Sequence, residues 1–190
     1  EYSDYDSLMN SNSLAAKMIT THLNELGHGN VGIITDVEAN RRASELQRYF
    51  GEQGIHVKKE HHVTVEGARF EKAGYEGMMQ LLQHSDLPSA VVTTYDYIAI
   101  GALRACEEKK IRIPEDLSLI SIDNIGTAAY ASRALTTVSM PTEDVGRIAT
   151  TILTDRIRLG KAQGAIQHIS LNPELIIRET TAPLKCNSLQ

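Results

Sequence analysis

Asp36, Arg42, Tyr95, Asp96 and Asp123 all fall at or just after the ends of short apolar runs that read as buried strands. One edge of a sheet would then collect them as a binding rim. A carboxylate accepts hydrogen bonds from hydroxyls, while a guanidinium donates two parallel bonds to neighbouring oxygens, so the two facing each other across a cleft suit a polyhydroxylated ligand. We assign Arg42 and Asp123 to binding, with Tyr95 beside them. Asp96 opens a helix, and the expectation for it is a cap on the backbone N–H groups of that first turn.

Other chemistries find less support. The histidines, His22, His28, His56, His61, His62, His84 and His168, form no metal spacing, and the adjacent His61 and His62 point to opposite faces of a strand. No Gly-x-Ser-x-Gly elbow or Gly-Lys-Ser/Thr element is present, so neither a hydrolase nor a nucleotide phosphate site is expected. The reading is of a non-enzyme without cofactor or metal. Cys106 and Cys186 are isolated thiols, which points to a reducing compartment, the cytoplasm.

The elements that must hold the rim alternate in period. Apolar spacing predicts helices from Ser13 to Leu26, Asn40 to Gln53, Phe70 to His84, Asp96 to Lys110 and Thr142 to Leu159, the last closed by Gly160. Between them, strands are predicted over Val31 to Thr35, Val57 to Val65, Ala90 to Thr94, Leu117 to Ile122 and Leu135 to Val138, then Ile166 to Leu171 and Leu175 to Arg178. Near-continuous apolar strands alternating with helices imply an α/β fold, a doubly wound parallel sheet with helices on both faces. Ligands of such sheets bind just beyond the carboxyl ends of the strands. Residues 1–9 show no period, and a disordered tail is expected over 182–190. On the Asp96 helix, Ile98, Gly101, Ala102 and Ala105 form a stripe of mostly small residues, open either to a partner chain or to packing inside the domain.

The bulk numbers bound the partners. The chain has 190 residues, 42% of them hydrophobic and 23% charged. That size can bury a sizeable core, and no apolar run is long enough to cross a membrane. With a net charge of −5, this chain is not expected to grip a nucleic-acid backbone by itself. Its first residue is Glu1, not Met, which suggests a piece of something longer.

Four ordered motifs carry a family resemblance: HLNELGHGNVGII (His22 to Ile34), TTYDYIAIGALRACEEKKIRIPEDLSLISIDN (Thr93 to Asn124), ALTTVSMPTEDVGRIA (Ala134 to Ala149) and ELIIRETT (Glu174 to Thr181). Together they resemble the effector-binding core of LacI/GalR-type transcriptional repressors. The resemblance implies a periplasmic-binding-protein-like type I fold of two lobes and a sugar or phosphosugar effector in the cleft between them. It further implies a homodimer, and operator DNA read through an N-terminal helix-turn-helix that lies outside this chain. A periplasmic-type sugar-binding protein of an uptake system is the alternative. Residues 1–28 and 139–163 are expected to be partial N-terminal subdomain elements, with 29–138 and 164–181 as the C-terminal effector-binding subdomain. By position, Arg42 matches the arginine that holds sugar hydroxyls or a base, and Asp123 the acceptor aspartate. Tyr95 replaces a usual asparagine ligand, Arg69 falls near a stacking aromatic with Phe70 as its substitute, and Ser11 stands where the first lobe often offers Asp.

Overall fold

The computed structural model describes residues 4–159 and 165–185. In chain order the elements are β1 (Ser7–Asn10), α1 (Asn12–Glu25), β2 (Val31–Asp36), α2 (Asn40–Glu52), β3 (His62–Val65), α3 (Phe70–Leu81), β4 (Ala90–Thr93), α4 (Asp96–Lys109), β5 (Ser118–Asp123), β6 (Thr136–Ser139), α5 (Thr142–Leu159), β7 (His168–Leu171) and β8 (Glu174–Ile176). Six strands form one sheet in the order β3-β2-β4-β5-β6-β8, parallel except for the last pair.

Both faces of this sheet are covered, which is why its central strands β2, β4 and β5 are mostly apolar. Neighbouring residues in a strand point to opposite sides. Ile34, Val91 and Leu119 pack with α3 and α4, whereas Ile33, Val92 and Ile120 pack with α1 and α2. From β2 the chain moves outward through α2 to β3, then returns through α3 to β4 on the other side of β2. Helices on either side of this reversal leave a crevice at the carboxyl ends of β2 and β4. Asp36 ends β2, and Thr94 and Tyr95 follow β4, so the sequence-predicted rim lies at the switch point.

The small-residue stripe of α4 is filled from within. Ile98, Ala102 and Ala105 are fully buried against α3. A Cβ added to Gly101 would overlap the Glu71 carbonyl oxygen and stand 2.7 Å from the Glu71 carbon, while one added to Gly74 would overlap the Ile98 carbonyl oxygen. The two helix backbones touch at these reciprocal glycines.

Several expectations need correction. The segment without period holds β1, which pairs in parallel with β7 in a separate two-stranded sheet. Segment 164–181 therefore divides: β7 joins β1, whereas β8 closes the large sheet on β6. Segment 1–28 divides too, because α1 buries Ala15, Ile19 and Leu23 in the core of the large sheet. Of the strand expected from Val57, His62–Val65 forms; Lys59–His61 make a 3-10 turn, and His61 Nε2 donates to the Asp86 carbonyl at 2.8 Å.

The expected tail is anchored over 182–184. Ala182 N–H donates to Ser118 Oγ at 3.1 Å, His28 Nε2 to the Ala182 carbonyl at 3.0 Å, and Leu184 N–H to the Leu26 carbonyl at 2.8 Å. Gly160, Cys186 and residues 187–190 lie outside the described residues. A glycine spacing that the sequence reading did not count, Gly27-x-Gly-x-x-Gly32, runs from the end of α1 into the start of β2. A dinucleotide loop requires the reverse order, strand then helix.

Candidate functional site

Arg42 sits in the first turn of α2, which starts four residues beyond β2, and so its side chain reaches back across the ends of β4 and β5. Nη2 donates to Asp123 Oδ1 at 2.8 Å and Nη1 to the Thr94 carbonyl at 2.8 Å. The guanidinium carbon lies 5.1 Å from the centroid of the Tyr95 ring. The side chains of Arg42 and Asp123 keep 19% and 25% of their exposure, enough for a ligand to reach both. Burial pushes the Asp123 carboxyl up, while the hydrogen bond and charge of Arg42 pull it down. Arg42 also lines an open cavity of about 480 Å³, walled by Arg41 and Glu45 of α2, by Asn10 and Ser170 of the small sheet, and by Ser11, Asn12 and Ser13. Ser11 contributes to that wall, but its hydroxyl accepts from Leu14 N–H at 3.1 Å as the cap of α1.

Arg69 and Phe70 open α3 on the other side of Tyr95. Arg69 Nε stands 3.6 Å from Asp36 Oδ2, and its guanidinium carbon 4.8 Å from the Phe70 centroid. Phe70 meets the ring of Tyr97 edge-on at 5.6 Å. The Tyr95 hydroxyl feels all four charges, Asp36, Arg42, Arg69 and Asp123, and burial raises its pKa above the usual phenol value.

Asp96 does not cap its helix; Tyr95 occupies that position and makes no side-chain cap bond. Fully buried, Asp96 accepts from Thr137 Oγ1 at 2.6 Å and from Ile125 N–H at 2.9 Å. It thereby ties down the turn that carries Asp123. That turn is strained, with φ of 123° at Asp123 and 53° at Asn124, a backbone that costs about 1–3 kcal/mol per non-glycine residue. Asn124 is held in turn by Arg178 Nη2, which donates to its Oδ1 at 2.8 Å, and by Ser139 Oγ, which accepts from its Nδ2 at 3.2 Å. Asn124, Thr137 and Arg178 escaped the sequence reading, since nothing local links residues from three separate strands and loops.

Burial pushes the Asp96 carboxyl up to about 6, against the bonds from Thr137, Ile125 and Ser121, with the Asp123 charge adding to the rise. A carboxyl raised in the folded state contributes stability that is complete below its unfolded pKa near 4 and is lost as pH rises through 6. Asp96→Asn, which resembles the protonated acid, removes that loss. Relative to wild type, the variant should gain on the order of 2 kcal/mol between pH 4 and pH 7. Urea denaturation at the two pH values measures the difference, and parallel pH profiles would show that Asp96 is not the group responsible.

Residues 20–181 match the family model of the periplasmic binding protein-like domain. The chain belongs to that family. Within it, the chain is a LacI-type effector-binding core. It is 38% identical over 165 residues to the HTH-type transcriptional repressor PurR of Proteus mirabilis, a match that covers 85% of this chain and 47% of the relative. For the repressor of the same name from Actinobacillus pleuropneumoniae, the identity is 32% over 185 residues, covering 94% and 54%. The LacI-type core thus spans about half the length of these curated relatives. Among solved structures, a LacI family transcriptional regulator from Enterococcus faecalis with bound ribose superposes with a TM-score of 0.83 at 26% identity, over 96% of this chain and 66% of that one. One from Mycobacterium smegmatis gives 0.80 at 27%, over 93% and 66%. These relatives are regulators, not enzymes. Among the described residues of the core, no cluster of His, Cys, Asp or Glu has the geometry to hold a metal, and no helix is long and apolar enough to cross a membrane.

Proposed function

We propose that this core senses a sugar or related small effector for a DNA-binding repressor that acts in the cytoplasm. The observation that carries the reading is the Arg42–Asp123 pair at the switch point, with Arg42 shared by the cavity between the large sheet and the β1/β7 wall. An effector seated there touches both walls. It can bias their relative arrangement only by its different affinity for each, typically about 1–3 kcal/mol. In this reading β1, β7 and α5 belong to one lobe and the six-stranded sheet to the other. The ribose held by the E. faecalis regulator and the names of the PurR relatives favour this function over a transport-binding protein.

Dimerisation would use the outer face of α4 and the turn after β5, where Tyr97, Ile100, Leu103 and the 88%-exposed Tyr130 line a cavity rimmed by Glu71, Arg104 and Glu107. The DNA-reading head would precede this chain. In the protein that includes that head, operator affinity should change about 5–150-fold on adding effector. Mobility-shift titration of operator DNA against a panel of sugars, nucleobases and sugar phosphates measures it. Affinity unmoved by the whole panel would refute the reading.

A further inference from the structure

The rim holds a second carboxylate whose hydrogen bonding is incomplete. Asp36 is 1% exposed. Its Oδ1 accepts from Ala39 N–H at 3.1 Å and caps the 3-10 turn after β2, but its Oδ2, buried, receives no hydrogen bond. Arg69 Nε, at 3.6 Å, neutralises the charge without giving that oxygen a proton. A buried acceptor left without a donor costs about 1–3 kcal/mol, so such an atom beside a binding rim marks a place for a donor. In the wall of the neighbouring cavity, which Arg42 also lines, Asn10 Oδ1 is likewise buried and unpaired. Both unmet demands are for O–H or N–H groups.

Charge points the same way. Around the rim and cavity, the guanidiniums of Arg41, Arg42, Arg48 and Arg69 are equalled in number by the carboxylates of Asp36, Glu45, Glu52 and Asp123, with Glu45 and Glu52 both paired to Arg48. An anionic ligand would bring a further negative charge and more acceptors to a place whose charges are already balanced and whose two unpaired buried oxygens call for donors.

We propose that the effector is uncharged and rich in hydrogen-bond donors, and that Asp36 is its second carboxylate acceptor after Asp123. Arg69, half exposed, shifts along the Phe70 ring to admit the ligand's donor to Oδ2. This deepens the sensor reading and rests on it. It separates free sugars and nucleobases from sugar phosphates as a class.

The experiment is a thermal-shift screen of the full chain with free pentoses, hexoses and nucleobases, alongside the phosphates of the same sugars, followed by calorimetric titration of the best compound. An uncharged compound should bind, and its phosphorylated counterpart should bind at least tenfold more weakly. Asp36→Asn keeps a capping oxygen while replacing the acceptor Oδ2 with a donor, so it should weaken binding at least tenfold with little change in melting temperature. Asp36→Ser, which also caps, should do the same. Tighter binding of phosphates, or no binding by any uncharged compound, overturns the proposal. If binding depends on Arg42 but is unchanged in both Asp36 variants, Asp36 is not an acceptor and the cleft reading survives. If binding is indifferent to Arg42 as well, the cleft reading itself fails.

Discussion

Gly101→Ala will destabilise the fold by about 3 kcal/mol or more, a fall of roughly 6–12 °C in melting temperature for a chain of this size. In most cores an extra methyl costs about 1–3 kcal/mol because side chains around it can yield. Here the obstacle is the main chain of α3: the new carbon would overlap the Glu71 carbonyl oxygen and stand 2.7 Å from the Tyr75 nitrogen. Only separation of α3 from α4 makes room, and that opens the packing of Ile98, Ala102 and Ala105. The gain of about 1 kcal/mol in helix propensity for alanine over glycine offsets part of the loss and is included in the figure. Gly74→Ala meets the Ile98 carbonyl from the other side and should act alike. Gly51→Ala in α2 is the control, since nothing lies within 4 Å of its added carbon; it should raise stability by about 0.5–1 kcal/mol. Thermal and urea melts followed by circular dichroism decide between these outcomes. A Gly101→Ala protein that melts with the wild type would mean that the two helices are not in backbone contact.

Arg42→Ala should weaken effector binding at least thirtyfold, a loss of about 2 kcal/mol or more, while the protein stays folded. Arg42 contributes twice, as a donor facing the cavity and as the cation that keeps Asp123 ionised for its role as acceptor. Without it, burial acts on Asp123 unopposed and its carboxyl rises further. The stability cost is smaller than for a fully buried pair, about 1–2 kcal/mol, because both side chains remain partly exposed. The Thr94 carbonyl, which accepts from Nη1, turns to solvent or to the ligand. Arg42→Lys should recover little, since an ammonium cannot fork between Asp123 and Thr94. Calorimetric titration of wild type and variants with a compound from the thermal-shift screen reads the effect; equal affinities would remove Arg42 from the site.

Much of the sheet was legible because its signals are local. Val31 to Asp36, Ala90 to Thr93 and Ser118 to Asp123 are strands covered on both faces, a placement that favours apolar side chains and admits a Thr or Ser only where it finds a hydrogen bond, so composition marks them. Their polar ends mark where the covering stops. Arg42 and Asp123 were placed on one rim for this reason, and they stand in contact. Asp96 was misread because its type at a helix start fits a cap equally well, and only the Thr137 and Ile125 donors brought in by β6 and the β5 turn distinguish the two roles.

What the sequence determined by itself is the parallel sheet, the edge of it where polar residues gather, and the opposite charges that meet there, since each follows from residue type and spacing within a few positions. The tertiary structure alone decided which partner fills the α4 stripe, that Ser7–Asn10 joins His168–Leu171, and that Asp36 keeps an unmet acceptor. Those are outcomes of contact between segments distant along the chain. A helix face or a strand edge states what it can pair with, while the path of the whole backbone selects the partner.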